Sequence, residues 1–188
     1  LTDLVPDSEL RHRGLYVIYL AFPRGVVGNN DTWYAPESQY WFGRVSQPSR
    51  FSPKLQAEGQ DVLCVEIPEG RWGEEQDFLE SLDTLTEQLH RAGILSEPCA
   101  PEDAKQIWIP RVYPMYKRGW FEQWKRALAG LGDLGEILPI GRQGLFLHCN
   151  MDHCVHIAWE ASQHVLSNGN ASSWRERCPQ FLDLRVRD

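Results

Sequence analysis

The sequence predicts a mixed α+β fold, and the patterning of its apolar residues carries that prediction. Strand-like runs dominate the first third, of which residues 16–22 and 61–67 are the most regular. Short turns between successive strands favour an antiparallel sheet. Helical repeats of apolar residues then occupy 74–92 and 151–167. A chain of 188 residues corresponds to about one to one and a half domains of average size.

Composition excludes several classes of protein. Nineteen basic and 26 acidic residues give a net charge of −7, so no basic face for nucleic acid is expected. No apolar run approaches the roughly 20 residues that span a bilayer. Five cysteines are dispersed along the chain with no Cys-x-x-Cys pair, which favours reduced thiols and a cytoplasmic location. The sequence starts at Leu1 rather than methionine, and we expect an excised or truncated piece.

The remaining elements follow from local patterns. Residues 47–53 are rich in proline and serine and are expected to form a long ordered loop. A helix is predicted around four apolar residues, ending near two glycines: Phe121, Trp124, Leu128 and Leu131, then Gly130 and Gly132. Further strands are predicted at 32–34, 39–45, 106–109 and, as an apolar run, 136–140.

The two long helices are predicted to bury one face each. In the helix at 74–92 that face carries Phe78, Leu82, Leu85 and Leu89. In the helix at 151–167, which Asn150 caps, it carries Met151, Val155, Ala158, Trp159, Ser162, Val165 and Leu166. Trp124 and Trp159 therefore both read as core residues.

The chain from 136 to 152 could bind an anionic ligand. An apolar run leads through Gly141, Arg142 and Gly144 to the Asn150-capped helix. Glycine allows close approach to the backbone, and a helix N-terminus offers unpaired N–H groups and partial positive charge. An ordinary connection between two elements explains the same pattern.

Two other clusters have both functional and structural explanations. His153, His156 and Glu160 would share one helix face, which could hold a metal, but no zinc-ligand spacing is present and we predict none. Tyr113 and Tyr116 lie between Arg111 and Arg118 and could hold a planar or phosphorylated ligand. A half-buried strand edge would have the same composition.

Residues 140–153, IGRQGLFLHCNMDH, resemble the C-terminal flavin-contacting motif of FAD-dependent oxidoreductases. The most similar group contains UDP-galactopyranose mutase, protoporphyrinogen oxidase and amine oxidase-like enzymes. Residues 42–53 (FGRVSQPSRFSP) and 113–116 (YPMY) are similar to substrate-domain and Tyr-Pro-x-Tyr segments of that group. The resemblance covers residues 14–166.

The resemblance implies roles for individual residues. Those expected at the FAD are Gly141, Arg142, Gly144, Asn150, Met151 and Asp152. Those expected on the substrate side are Arg44, Tyr113, Tyr116 and His148. No catalytic residue is assigned. The substrate would be a small molecule, either a nucleotide sugar or an amine.

The resemblance also predicts how the chain is organised. The group binds the FAD pyrophosphate through an N-terminal Gly-x-Gly-x-x-Gly that follows a strand, and this sequence has no such motif after a predicted strand. We therefore expect the C-terminal part of a flavoenzyme, inactive alone and not retaining FAD. Residues 1–112 would form substrate-domain strands and a helix, and 113–168 the last strand and helix of a Rossmann-like FAD-binding domain, followed by a tail, 169–188. The alternative is a non-catalytic interaction domain that lost the cofactor, because members often carry Arg or Lys and then Tyr at Leu147-His148. Exposed apolar surface could also support a homo-oligomer.

Overall fold

A computed structural model of the protein describes residues 9–55, 59–72 and 78–185. The chain divides into two compact units. One, the sheet unit, is Gly14–Pro110, and the other, the helical unit, combines Leu1–Arg13 with Arg111–Asp188. The chain passes between the units within its first and last strands, β1 and β5.

The described residues form five strands and six α-helices. The strands are β1 (His12–Pro23), β2 (Thr32–Tyr34), β3 (Arg44–Ser46), β4 (Gln60–Pro68) and β5 (Asp103–Pro114). The helices are α1 (Pro48–Phe51), α2 (Phe78–Arg91), α3 (Trp120–Gly130), α4 (Gly141–Gly144), α5 (Met151–Leu166) and α6 (Ala171–Arg177). Three 3-10 turns cover Pro53–Leu55, Leu131–Leu134 and Cys178–Asp183.

The strands form a single sheet in the order β2-β3-β4-β1-β5. Strand β1 pairs antiparallel with β4 from Leu15 opposite Pro68 to Pro23 opposite Gln60. Strand β3 is antiparallel to both β2 and β4. Every second residue of β4 is buried, as a strand with one face on a core requires. The predicted mixed fold with an antiparallel sheet is confirmed.

Helix α2 packs its apolar face into the core of the sheet unit. Leu85 and Leu89 are buried there, and Leu82 is partly buried against the same cluster. The Trp72 indole N–H donates to Ser81 Oγ at 3.2 Å, so the one polar atom of that ring is satisfied. The predicted residues 74–77 and the side chain of Phe78 lie outside the described residues.

Several predicted boundaries in the sheet unit are wrong. The strand predicted over 39–45 begins only at Arg44, because the Trp41 N–H donates to the side chain Oε1 of Gln88 and not to a neighbouring strand. The segment 47–53, predicted to be a loop, contains the short helix α1. Pro48 occupies its first position, which proline favours because its fixed φ is already close to the helical value. The strand predicted over 106–109 extends over all 12 residues of β5.

The core of the helical unit is organised around two buried tryptophans. The Trp124 indole N–H donates to the Leu145 carbonyl at 2.8 Å. The Trp174 indole N–H donates to the Pro139 carbonyl at 2.9 Å. Both rings are fully buried. The residues after α5 belong to this core, since Trp174, Cys178 and Phe181 are all buried in it.

The predicted strand over 136–140 is absent, and residues 137–140 belong to no helix or strand. Pro139 has no N–H to donate to a ladder, and its carbonyl accepts instead from Trp174. The following residues, Gly141–Gly144, form the one-turn helix α4 rather than an open glycine loop. This turn closes through the Leu145 N–H, which donates to the Gly141 carbonyl at 3.1 Å.

Helix α5 has the predicted bounds but buries the opposite face. Ile157 and Ala161 are its buried residues. The side that was predicted to be buried is exposed, with Met151 at 81%, Trp159 at 57% and Leu166 at 76%. The prediction was wrong because a stripe of apolar residues identifies a helix face that could be buried, but it does not show that another part of the same chain covers that face.

None of the described helices is long and apolar enough to cross a membrane.

Because Cys178 is buried, we expect the protein to lose stability as the pH rises into the alkaline range. Burial raises the pKa of this thiol from 9.0 to about 12. The native state therefore holds a proton that the unfolded state loses above pH 9.0. We expect the free energy of unfolding contributed by this group to be complete below pH 9.0 and to fall as pH rises toward 12.

The measurement is urea denaturation at one pH below 9.0 and one between 9.0 and 12, for the parent protein and Cys178→Ala. Lysines and tyrosines titrate in both proteins, so the difference between them isolates Cys178. The parent should lose more stability than the variant across this interval. Equal losses in the two proteins would contradict the prediction.

Candidate functional site

The helical unit contains a cavity of about 380 Å³ where β5 ends. Its walls are formed by Arg13, Tyr113, Pro114, Met115, Tyr116, Lys117 and His148. Three of the four residues predicted on the substrate side, namely Tyr113, Tyr116 and His148, thus line one cavity. Two aromatic phenols, an imidazole and two cations suit a polar or anionic small molecule.

Tyr116 ties the two sides of this cavity together. Its hydroxyl accepts a hydrogen bond from the His148 backbone N–H at 2.7 Å and donates one to the Phe146 carbonyl at 3.3 Å. Its ring stacks on Trp120 with centroids 4.3 Å apart. Both hydrogen bonds reach across 30 residues of sequence, so they fix the position of residues 146–148 relative to the end of β5.

The pKa of Tyr116 is raised above its usual 10.0. Burial of the hydroxyl is the main cause, and the hydrogen bond from the His148 backbone opposes it. The phenol therefore remains protonated at neutral pH and keeps its hydrogen bond to the Phe146 carbonyl.

Phe146 is held in a left-handed backbone conformation at φ 53°. A bulky residue seldom adopts this region, and such strain persists only where the surroundings fix it. Here the ring is fully buried and packs edge-on against His12 at 4.8 Å. The turn lies between α4 and His148, which lines the cavity.

Arg142 links the cavity to the start of α5. Its Nε donates to the Cys149 carbonyl at 2.9 Å, and its terminal nitrogen Nη2 donates to the same oxygen. The guanidinium carbon lies 5.3 Å from the centre of the Tyr113 ring, within the range of a cation–π contact. Arg142 thus places a positive charge between a cavity wall and the residue before the helix cap.

The N-terminus of α5 is ordered by a capping box. Asn150 is the N-cap, and its backbone N–H donates to Nδ1 of His153 at 3.2 Å. Met151 and Asp152 are exposed beside it. A second cavity of about 500 Å³ lies at this end of the helix, lined by Asp152, His153, Asp183, Leu184 and Arg185. The partial positive charge of a helix N-terminus favours an anionic group of a ligand, and Arg185 adds a cation beside the carboxylates of Asp152 and Asp183.

The other predicted site residues are placed as follows. Gly141 begins α4 at φ 67°, a conformation that favours glycine, with the Cys154 sulfur close by. Gly144 ends α4 in ordinary contact distance of the Pro139 backbone. Arg44 belongs to the sheet unit, where it forms an ion pair with Glu66 across β3 and β4. Leu147 is buried, so only His148 of that pair faces the cavity.

The three residues weighed as metal ligands each have another contact. His153 accepts from Asn150, Glu160 pairs with Arg177 at 2.7 Å, and the His156 ring meets Phe181 edge-on at 6.4 Å. Among residues 9–55, 59–72 and 78–185, no group of three His, Cys, Asp or Glu side chains is arranged to hold a metal ion.

Sequence reasoning missed two cations of the first cavity. Lys117 directly follows the YPMY segment, so its position was available as a signal. Arg13 comes from the start of β1, about one hundred residues away in sequence. No local pattern connects it to Tyr113 and Tyr116. The strained turn at Phe146 was also missed, because its only sequence signal is the glycine two residues earlier.

Two solved structures share the architecture described above. A crystal structure of reduced UDP-galactopyranose mutase matches 95% of this chain and 38% of its own, with a TM-score of 0.71 and 20% identity. The chain therefore has the same fold as the matched 38% of the mutase. The crystal structure of a protein assigned as protoporphyrinogen oxidase from Exiguobacterium sp. 255-15 matches 69% of this chain and 30% of its own, with a TM-score of 0.51 and 12% identity.

The predicted resemblance to this group is therefore confirmed for the fold. The chain spans about two fifths of the mutase that it matches. No protein-family model matches the sequence, and neither does any curated protein. The similarity to these two structures is therefore one of fold, beside the resemblance of the motif at residues 140–153.

Proposed function

We propose that this chain is the C-terminal part of a FAD-dependent oxidoreductase of the UDP-galactopyranose mutase and amine oxidase-like group. It supplies a substrate pocket and part of the flavin site. The observation that carries the proposal is the arrangement of the motif in space. Arg142 connects Tyr113, on the wall of the first cavity, to the residue that precedes the cap of α5.

The exposed start of α5 fits an edge of a flavin ring. Reduced flavin is anionic, and the helix N-terminus offers N–H groups and partial positive charge. Arg142 adds a full positive charge nearby. When bound, the flavin supplies the redox chemistry. Gly141, Arg142, Gly144, Asn150, Met151 and Asp152 are the residues that would hold it.

The cavity chemistry favours a nucleotide sugar over an amine as substrate. Arg13 and Lys117 place two positive charges on its walls, while no carboxylate lines it among the described residues. Such walls attract phosphate and repel a protonated amine. Tyr116 holds residues 146–148 at the cavity through its hydroxyl, and His148 presents an exposed imidazole. Arg44 is proposed on the substrate side from the resemblance.

The proposal includes the organisation of the parent protein. Residues 1–112 belong to the substrate domain, and 113–168 return to a Rossmann-like FAD-binding domain, followed by the segment 169–188. The apolar stripe on α5, formed by Met151, Val155, Trp159 and Leu166, supports this organisation. A stripe of this kind is usually covered, and the remaining body of a FAD-binding domain would cover it. Without that body the chain is inactive and does not retain FAD, and its location is cytoplasmic.

The test is to express the longest natural reading frame that contains these residues and to measure its flavin absorption spectrum. About one flavin per chain is expected for the long protein, as for a resident cofactor, and none for the 188-residue chain alone. A colourless long protein that also fails to take up added FAD would reject the flavoenzyme. A yellow 188-residue chain would reject only the claim that it cannot retain FAD.

The second candidate function is a non-catalytic interaction domain. It is favoured by the same exposed stripe and by the buried Leu147, which stands where members of the group often carry a cation. This function predicts a long protein without flavin that self-associates through α5. Analytical ultracentrifugation of the parent and of Trp159→Ser distinguishes the two: a dimer lost in the variant, together with absent flavin, supports the interaction domain.

A further inference from the structure

Two cysteines lie in contact at the start of α5. The sulfur atoms of Cys149 and Cys154 are 3.6 Å apart. Cys149 directly precedes the N-cap Asn150, and Cys154 is in the first turn of the helix. A separation of 3.6 Å is van der Waals contact, so no atom stands between the two sulfurs. The capping box holds the intervening backbone in place.

The two thiols differ in access. Cys149 is buried, with 2% of its surface exposed, whereas Cys154 is partly exposed. Burial and the neighbouring thiol raise the pKa of Cys149 to about 11, so at neutral pH it is a protonated thiol. An oxidant in solution therefore meets Cys154 first, and Cys149 is the second sulfur within reach.

We propose that Cys149 and Cys154 form a reversible intramolecular disulfide on exposure to hydrogen peroxide. The Cys154 sulfur attacks one peroxide oxygen and the O–O bond breaks, which leaves a sulfenic acid on Cys154, while the departing hydroxide takes up the proton lost from the thiol and leaves as one molecule of water. The Cys149 sulfur then attacks the Cys154 sulfur, the S–S bond forms, and the sulfenic oxygen leaves as a second water. Two thiols are oxidised and one peroxide is reduced.

The geometry needs only a small change to form this bond. The sulfur atoms would approach from 3.6 Å to about 2.05 Å, the length of a disulfide bond. The bond would fix Cys149 relative to the first turn of α5. The Cys149 carbonyl accepts a hydrogen bond from Arg142. The disulfide would therefore form at a residue that is in direct contact with the proposed flavin site. The chemistry itself does not depend on that proposed function.

The experiment is thiol counting and peptide mapping of the whole chain. The protein is treated with hydrogen peroxide, freed of oxidant, unfolded and titrated with a chromogenic disulfide reagent. The count should fall from the five cysteines of the sequence to three. Trypsin releases both residues in one peptide, 143–175, because no Lys or Arg lies within it before Arg175. That peptide should lose the mass of two hydrogen atoms, and dithiothreitol should restore all five thiols.

Variants keep the assignment falsifiable. Cys154→Ser should abolish the mass loss, while Cys99→Ser, at a cysteine that is also partly exposed, should leave it intact. Five remaining thiols, a bond to another cysteine, a cross-linked dimer, or oxidation of Cys149 or Cys154 that dithiothreitol cannot reverse would each overturn the proposal. The peptide map of the unsubstituted protein decides the question even where a variant does not fold.

Discussion

Replacing Trp124 by alanine should lower the free energy of unfolding by ~3–5 kcal/mol. The ring is fully buried and stacks on Phe121 with centroids 5.9 Å apart. Its N–H also satisfies the Leu145 carbonyl, which the substitution leaves buried and unpaired. The measurement is urea unfolding followed by far-ultraviolet circular dichroism, because tryptophan fluorescence changes with the variant itself.

Trp159→Ala is the matched control within the same chain. Its ring is 57% exposed on α5, and alanine is the better helix former, so stability should change by no more than about 0.5 kcal/mol. Both tryptophans lie on apolar faces in the sequence, so the contrast tests the structure itself. Similar losses for the two substitutions would show that Trp159 is buried in the folded chain.

Arg142→Ala should weaken flavin binding by about 10- to 100-fold in the long natural protein, equivalent to ~1.4–2.8 kcal/mol. The substitution removes a positive charge from the proposed flavin site. It also leaves the Cys149 carbonyl without the two donors that hold it before the cap of α5. The measurement is the dissociation constant for FAD, from flavin fluorescence after removal of the bound cofactor.

Arg142→Lys separates the two contributions. Lysine keeps the charge but lacks the planar fork that donates to one carbonyl and lies over Tyr113. It should recover part of the affinity if charge contributes, whereas Arg126→Ala, an exposed arginine of α3, should bind FAD normally. Unchanged affinity in Arg142→Ala would remove this residue from the cofactor site.

The sequence predicted those elements whose hydrogen bonds are local or whose pattern is simple. Strands β1 and β4 have long β-branched and apolar runs, and α5 has a capping residue and a glycine stop, so their positions were correct within a few residues. Residues 136–140 look equally strand-like. The Pro139 carbonyl, however, accepts from a tryptophan 35 residues later, and no local sequence pattern predicts a partner at that distance.

The candidate site was predictable to the extent that its residues lie within motifs. Tyr113, Tyr116, His148 and Arg142 were all selected from segments that resemble known enzymes, and the structure brings them together in the helical unit. Arg13 could not be selected, since its role follows from the path of β1 alone. The direction of the apolar face of α5 could not be predicted either, because periodicity defines a stripe without specifying its partner.

The apolar stripe on α5 has a consequence for every solution measurement on the isolated chain. Association that covers Met151, Val155, Trp159 and Leu166 would add binding free energy to the folded state, and that contribution grows with protein concentration. The melting temperature of the 188-residue chain should therefore rise on concentration, and mild detergent should suppress the rise. A Tm quoted without the protein concentration would therefore combine two contributions, the stability of the folded chain and that of its self-association.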